Sequence, residues 1–293
     1  MRVRISHFNR LAMKILLSTL LLGMMTSATL FAQEGNTILY KQVDTVSLYM
    51  DVIYPEDVDA TVAYPSIVFF FGGGWNNGSI GQFEQHARYF ARRGMVCFRV
   101  DYRVKSRQGT TPFESLKDAK SAIRYIREHA SDFHVDPHRI VASGGSAGGH
   151  LAAATALVST FNEGSDRLSY SCVPNALILF NPVIDNGPGG YGYERIGEAY
   201  HTFSPLHNIR EGAPPTIFFL GTEDNLIPVE TAQYYKTVME KVGSRCDLFL
   251  YEGQGHGFFN FRQIEYYNKT MFEANQFLIS LGYLDQKPHV EID

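Results

Sequence analysis

The feature that most constrains this chain is an alternation beginning near residue 66. Short runs rich in aliphatic and aromatic residues, at 66–71, 96–100, 139–142, 176–180, 216–220 and 248–251, are mostly separated by stretches with apolar residues at helical spacing. Those helical patterns cover 82–93, 113–131, 147–158, 229–242 and 264–281, with Pro and Gly at their edges. Runs that are apolar throughout suit strands buried on both faces of a parallel sheet. Two period-two stretches ahead of them, 37–44 and 47–54, read as a hairpin. The expectation is an α/β fold with a mostly parallel central sheet, an antiparallel N-terminal hairpin and helices on both faces. The connection from about 183 to 213 lacks a clear strand and is rich in Gly, Tyr and polar residues, which suggests a small cap or loop insertion over the strand ends.

Residues 1–32 are set apart from that domain. Arg2, Arg4, Arg10 and Lys14 precede an apolar run over 15–25, and small and mixed residues continue to Ala32, the layout of a secretory signal peptide. The run is shorter than the roughly 20 apolar residues a spanning helix needs. Cleavage is expected after Ala32, with Ala28 as the alternative, and Met13 offers a second start. Residues 33–293 then form one catalytic domain, secreted or periplasmic, with no stable membrane insertion after cleavage. The leader carries four basic residues and no acidic ones, so its loss leaves a chain more acidic than the formal charge of −4 for the whole sequence. With no basic run elsewhere, an electrostatic grip on nucleic acid is not expected. Cys97, Cys172 and Cys246 have neither CxxC nor Cys/His spacing, which argues against a structural metal site, and no bridge is expected between Cys172 and Cys246.

In such a sheet, chemistry belongs at the carboxyl ends of the strands. The run at 139–142 leads into Ser143-Gly144-Gly145-Ser146-Ala147-Gly148-Gly149 and then an Ala-rich helix, so that G-x-S-x-G stands in the strand-turn-helix context it requires. Ser146 is the candidate nucleophile, and the Ala147 N–H at the helix start can face a developing oxyanion. A serine hydroxyl needs a base, and the base needs an orienting group. The strand ends at 220 and 251 lead to Asp224 and His256, and the order Ser146, Asp224, His256 is that of the α/β-hydrolases. Asp185 and Glu223 are the alternatives for the acid, and His150 rides on the helix facing away. After the strand ending at Phe71, Gly72-Gly73-Gly74-Trp75 resembles the HGGG oxyanion loop, with Gly73 and Gly74 as backbone donors and Phe71 in place of the loop's histidine. Trp75, Tyr191 and Tyr193 are the candidate substrate-binding residues, the tyrosines as part of an aromatic wall in the cap.

With these residues assembled, the chain resembles a secreted serine esterase of the α/β-hydrolase superfamily, close to the hormone-sensitive-lipase-like and bacterial feruloyl and acetyl-xylan esterase group. The resemblance rests on Phe71 to Trp75, Asp101-Tyr102-Arg103, Asp136-Pro137-His138-Arg139-Ile140, the serine elbow, Ser204-Pro205, Gly221 to Pro228 and His256-Gly257-Phe258. It implies hydrolysis of short acyl esters, acetyl or feruloyl groups on plant-type polysaccharides or oligosaccharides, through an acyl-enzyme without metal or organic cofactor. A prolyl-oligopeptidase-type peptidase shares the residue order and is the runner-up, beside a general lipase or esterase. The alternative of another class is a non-catalytic binding module of the same fold, against which stands the occupation of all three triad positions.

Overall fold

Val68 and Phe70 face one hydrophobic core, while their neighbours Ile67 and Phe69 face another, because successive strand side chains point to opposite sides of the sheet. The computed structural model describes residues 36–286. The expected leader and its cleavage sites lie outside the described residues. Eight strands form one sheet: β1 (Asn36–Val43), β2 (Val46–Ile53), β3 (Tyr64–Phe70), β4 (Val96–Val100), β5 (Val135–Gly145), β6 (Ala176–Phe180), β7 (Thr216–Gly221) and β8 (Cys246–Tyr251). Their spatial order is β1-β2-β4-β3-β5-β6-β7-β8. The β1–β2 hairpin joins β4 antiparallel, and every pairing from β4 to β8 is parallel, in agreement with the sequence reading.

Five longer helices cover the sheet: α1 (Glu84–Arg92), α2 (Pro112–Glu128), α3 (Ala147–Leu157), α4 (Val229–Lys241) and α5 (Ile264–Ser280). Buried residues of α2, α3 and α4 complete one core, and those of α1 and α5 the other. Helix α3 is buried all round, which its run of alanines permits, since small side chains let it lie close between the sheet and α2. The first turn of the expected helix at 82 is a separate 3-10 turn, Ile80–Phe83, which matters to the site. The stretch 193–208 holds four short helical turns and no strand. All three cysteines are buried and free, and no described helix is long and apolar enough to cross a membrane.

The start of β5 differs from the sequence expectation, which began the strand at 139. Residues 135–138 overhang the sheet, with only Val135 paired to Tyr64 before a register shift, so Pro137 costs no ladder hydrogen bond. At the opposite end, the carboxyl edges of the adjacent strands β3, β5, β6, β7 and β8 converge on one region.

Candidate active site

Ser146 stands between β5 and α3 with φ 54° and ψ −120°, a backbone conformation that non-glycine residues rarely adopt. Hydrogen bonds hold it there: its N–H donates to the Phe180 carbonyl at 3.0 Å, and its own carbonyl accepts from Val183 at 3.1 Å and His150 at 3.0 Å. The motif glycines serve closeness rather than unusual dihedrals. A methyl group on Gly148 would lie 2.0 Å from the Phe70 carbonyl oxygen, and one on Gly144 would lie 2.4 Å from the Gly148 backbone. The elbow thus rests directly on the end of β3, where the next loop begins.

That loop, Phe71 to Trp75, passes so near that a side chain on Gly72 would come within 3.4 Å of Ser146 Cβ. Gly73 and Gly74 have φ of +122° and +62°, which glycine adopts without steric penalty. The Gly73 carbonyl accepts from Asn76 at 3.0 Å and Asn77 at 3.2 Å. In a planar trans peptide this turns the Gly74 N–H the opposite way. Among the described residues, the N–H groups of Gly73, Gly74 and Ala147 donate to no protein acceptor. Three backbone donors, two on this loop and one at the start of α3, are thus left without a protein acceptor.

The loop is steadied without a histidine at 71. Tyr102 stacks on the Phe71 ring at 4.1 Å between centroids and donates its hydroxyl to the Phe71 carbonyl at 2.6 Å. Gln82, in the 3-10 turn, accepts the Gly72 N–H at 2.7 Å and donates to Asn260 Oδ1 at 3.0 Å. Asn260 in turn donates to the Gly257 carbonyl, within its own loop, at 2.7 Å. One glutamine thus joins the glycine loop to the segment that follows His256.

His256 Nδ1 lies 2.7 Å from Asp224 Oδ2, and Asp224 Oδ1 accepts the N–H groups of Leu226 at 2.9 Å and Ile227 at 3.0 Å. The carboxylate is buried, whereas the imidazole side chain keeps 21% exposure. Asp185 is not its partner: it accepts the Gly187 N–H at 2.8 Å and lies 3.8 Å from His207. Glu223 is exposed. Sequence reasoning missed Asn181, just past β6. Its Oδ1 accepts the Gly257 N–H at 2.9 Å and its Nδ2 lies 3.5 Å from His256 Nε2, so it sets the loop that carries the imidazole. A polar residue directly after a strand end was the only available signal.

Trp75 departs from expectation. Only 1% exposed, its indole lies edge-on to His150 at 5.0 Å and beneath the Arg195 guanidinium at 5.2 Å, so it is core rather than a wall open to substrate. His150, wedged between Trp75 and Phe203, has its pKa pushed down to about 3 by burial. Arg195 also donates to the Gly74 carbonyl at 2.5 Å. Tyr191 closes against the same glycine, whereas the Tyr193 hydroxyl is engaged by Glu198 at 2.8 Å. The cleft that adjoins the site, about 830 Å³, opens on the other side, between the 3-10 turn and the loop after His256, and neither tyrosine lines it. Among the described residues no cluster of three His, Cys, Asp or Glu side chains is placed to hold a metal ion.

This geometry has counterparts. The BD-FAE family model matches residues 50–186 and the dienelactone hydrolase family model residues 190–281. Esterase 2 of Thermogutta terrifontis, phosphoramylated by tabun, is 45% identical, with a TM-score of 0.84 over 87% of this chain and 97% of that one. Its propionate-bound form is 43% identical with a TM-score of 0.83, over 87% and 97% of the two chains. An acetylxylan esterase from Xylanibacter ruminicola is 26% identical over 88% of this chain and 53% of its own. The chain spans about half the length of the curated relatives it matches.

Proposed function

As the chain belongs to the α/β-hydrolase serine esterases, we propose that it hydrolyses short acyl esters, acetyl groups on plant-type carbohydrate foremost, with Ser146, His256 and Asp224 as its triad. The observation that carries this reading is the strained elbow at Ser146, with a glycine loop of unpaired backbone donors packed against it and a His256–Asp224 pair past the ends of β7 and β8. Ser146 Oγ attacks the ester carbonyl while His256 Nε2 takes its proton, and Asp224 holds the imidazole tautomer and offsets the charge it gains. The Gly73, Gly74 and Ala147 amides receive the oxyanion. Collapse breaks the bond to the alkoxy oxygen, which leaves with the proton from His256. Water then adds to the acyl carbon as His256 takes one of its protons; that proton passes to Ser146 Oγ as the acyl–Oγ bond breaks, and the carboxylic acid so formed gives its remaining proton to solvent and leaves as the carboxylate.

Several comparisons support this reading. The similar esterase 2 has been obtained phosphonylated by sarin and in propionate- and butyrate-bound forms, which fits an activated nucleophile and a short acyl group. The acetylxylan esterase supports the carbohydrate assignment more distantly. Export through the basic and apolar leader over 1–32 fits an extracellular glycan as substrate. Ser146→Ala should abolish turnover of 4-nitrophenyl acetate and labelling by a fluorophosphonate, with an unchanged circular dichroism melt. Turnover near that of the parent would overturn the serine mechanism. The parent chain should also show higher kcat/KM on acetyl than on octanoyl esters and release acetate from acetylated xylan. A preference for long chains with no release from any acylated glycan would remove the carbohydrate assignment.

A further inference from the structure

Building on that esterase reading, we propose that the cleft beside the site receives the alcohol side of the ester, and that Arg262 there pairs with a carboxylate on it, so that the favoured substrates are acyl esters of sugars bearing a uronic acid. The leaving oxygen takes its proton from His256, so the alcohol portion lies on the His256 side of the reacting carbon. The cleft runs from Gly72 and Gly73 to Gly257 and Arg262, which joins the proposed oxyanion loop to the segment just past His256.

Its lining fits a hydroxyl-rich, anionic group. Ser79, Gln85 and Gln263 line it with side chains that make no hydrogen bond among the described residues, and each offers a donor and an acceptor to sugar hydroxyls. Gln82 and Asn260, by contrast, are committed to each other and to the loops they tie. The charges are unequal. Glu84, the lining's carboxylate, is paired with Arg88 at 2.9 Å and lies 3.7 Å from Arg99. Arg262, exposed at the lip, has no ion-pair partner among the described residues. A guanidinium presents a planar fork that matches a carboxylate with two parallel hydrogen bonds, which a neutral hydroxyl cannot accept.

The test compares two acetylated methyl glucuronosides, one with the free carboxylate and one as the uronamide, on the purified chain and on Arg262→Gln. The parent should favour the carboxylate in kcat/KM by about fivefold or more, the scale of a partly screened charge-assisted pair, and rising salt should shrink that preference. In Arg262→Gln the ratio should fall to about one. Because the two sugars differ only at that one carboxyl-derived group, the ratio cancels any loss common to both. Equal rates on the two sugars in the parent, a ratio that survives in the variant, or no turnover of either sugar would overturn the inference. The esterase reading is judged separately by the parent's turnover of 4-nitrophenyl acetate.

Discussion

Ser146 carries backbone strain that the flanking motif glycines do not. A non-glycine residue at positive φ costs on the order of 1–3 kcal/mol, and the hydrogen bonds from Val183 and His150 and to Phe180 hold it in place. The pairing of Asp224 with His256 was legible because each residue closely follows an apolar strand run, and strand ends converge in a parallel sheet. Asp224→Asn should lower kcat on the order of 10⁴-fold, since an amide in that position favours the wrong imidazole tautomer. Asp185→Asn should change it less than about twofold, and steady-state kinetics on 4-nitrophenyl acetate separate the two. The reverse ranking would move the acid to the end of β6. Trp75 was not legible as a core residue, because its place beside a glycine loop does not tell which way the side chain turns, and the indole lies under Arg195. Asn181 and Gln82 were not legible as site residues, because neither belongs to a motif and the segment after His256 that each engages lies far away in sequence.

At the scale of elements, the parallel strands were readable because burial on both faces makes their sequences apolar throughout. The short turns over 193–208 were not, since a four-residue helix is too brief to display a period. Two inter-element ties invite tests. Gln82→Leu removes the acceptor for the Gly72 N–H and the link to Asn260, so it should lower kcat about tenfold, and by more than it raises KM, by loosening the donor loop. An unchanged kcat would show that Tyr102 and Arg195 suffice to steady that loop. On α2, the buried Asp118 meets Lys41 at 2.7 Å and accepts from both Nε and Nη2 of Arg103 at 2.8 and 2.7 Å, while Glu163 completes the cluster. Asp118→Ala leaves two cations under-compensated in a buried setting and should destabilise the fold by about 3–5 kcal/mol. Urea unfolding measures this directly, and a loss below about 1 kcal/mol would mean that Glu163 suffices.

Among the described residues of the whole molecule, one buried histidine lies on each side of the sheet. His86 lies among Phe69, Phe83, Phe180 and Tyr267, and His150 between Trp75 and Phe203, and burial pushes both pKa values down to about 3. Above the ordinary imidazole value of about 6.5 both states are neutral and pH has no effect through these groups. Between that value and about 3 the unfolded chain binds the protons that the folded one refuses. Stability should therefore decline as pH falls, by up to about 1.4 kcal/mol per unit for each histidine. Urea midpoints at pH 7, 5.5 and 4 should decline less steeply in His86→Phe than in the parent, and parallel curves would refute the assignment. The Gln82–Asn260 bridge has a temporal meaning as well, because its ends are 178 residues apart. On a ribosome the donor loop emerges long before the partner that fastens it. Fastening of the donor loop is then a late event of biogenesis, reached only once the chain through Asn260 has been delivered.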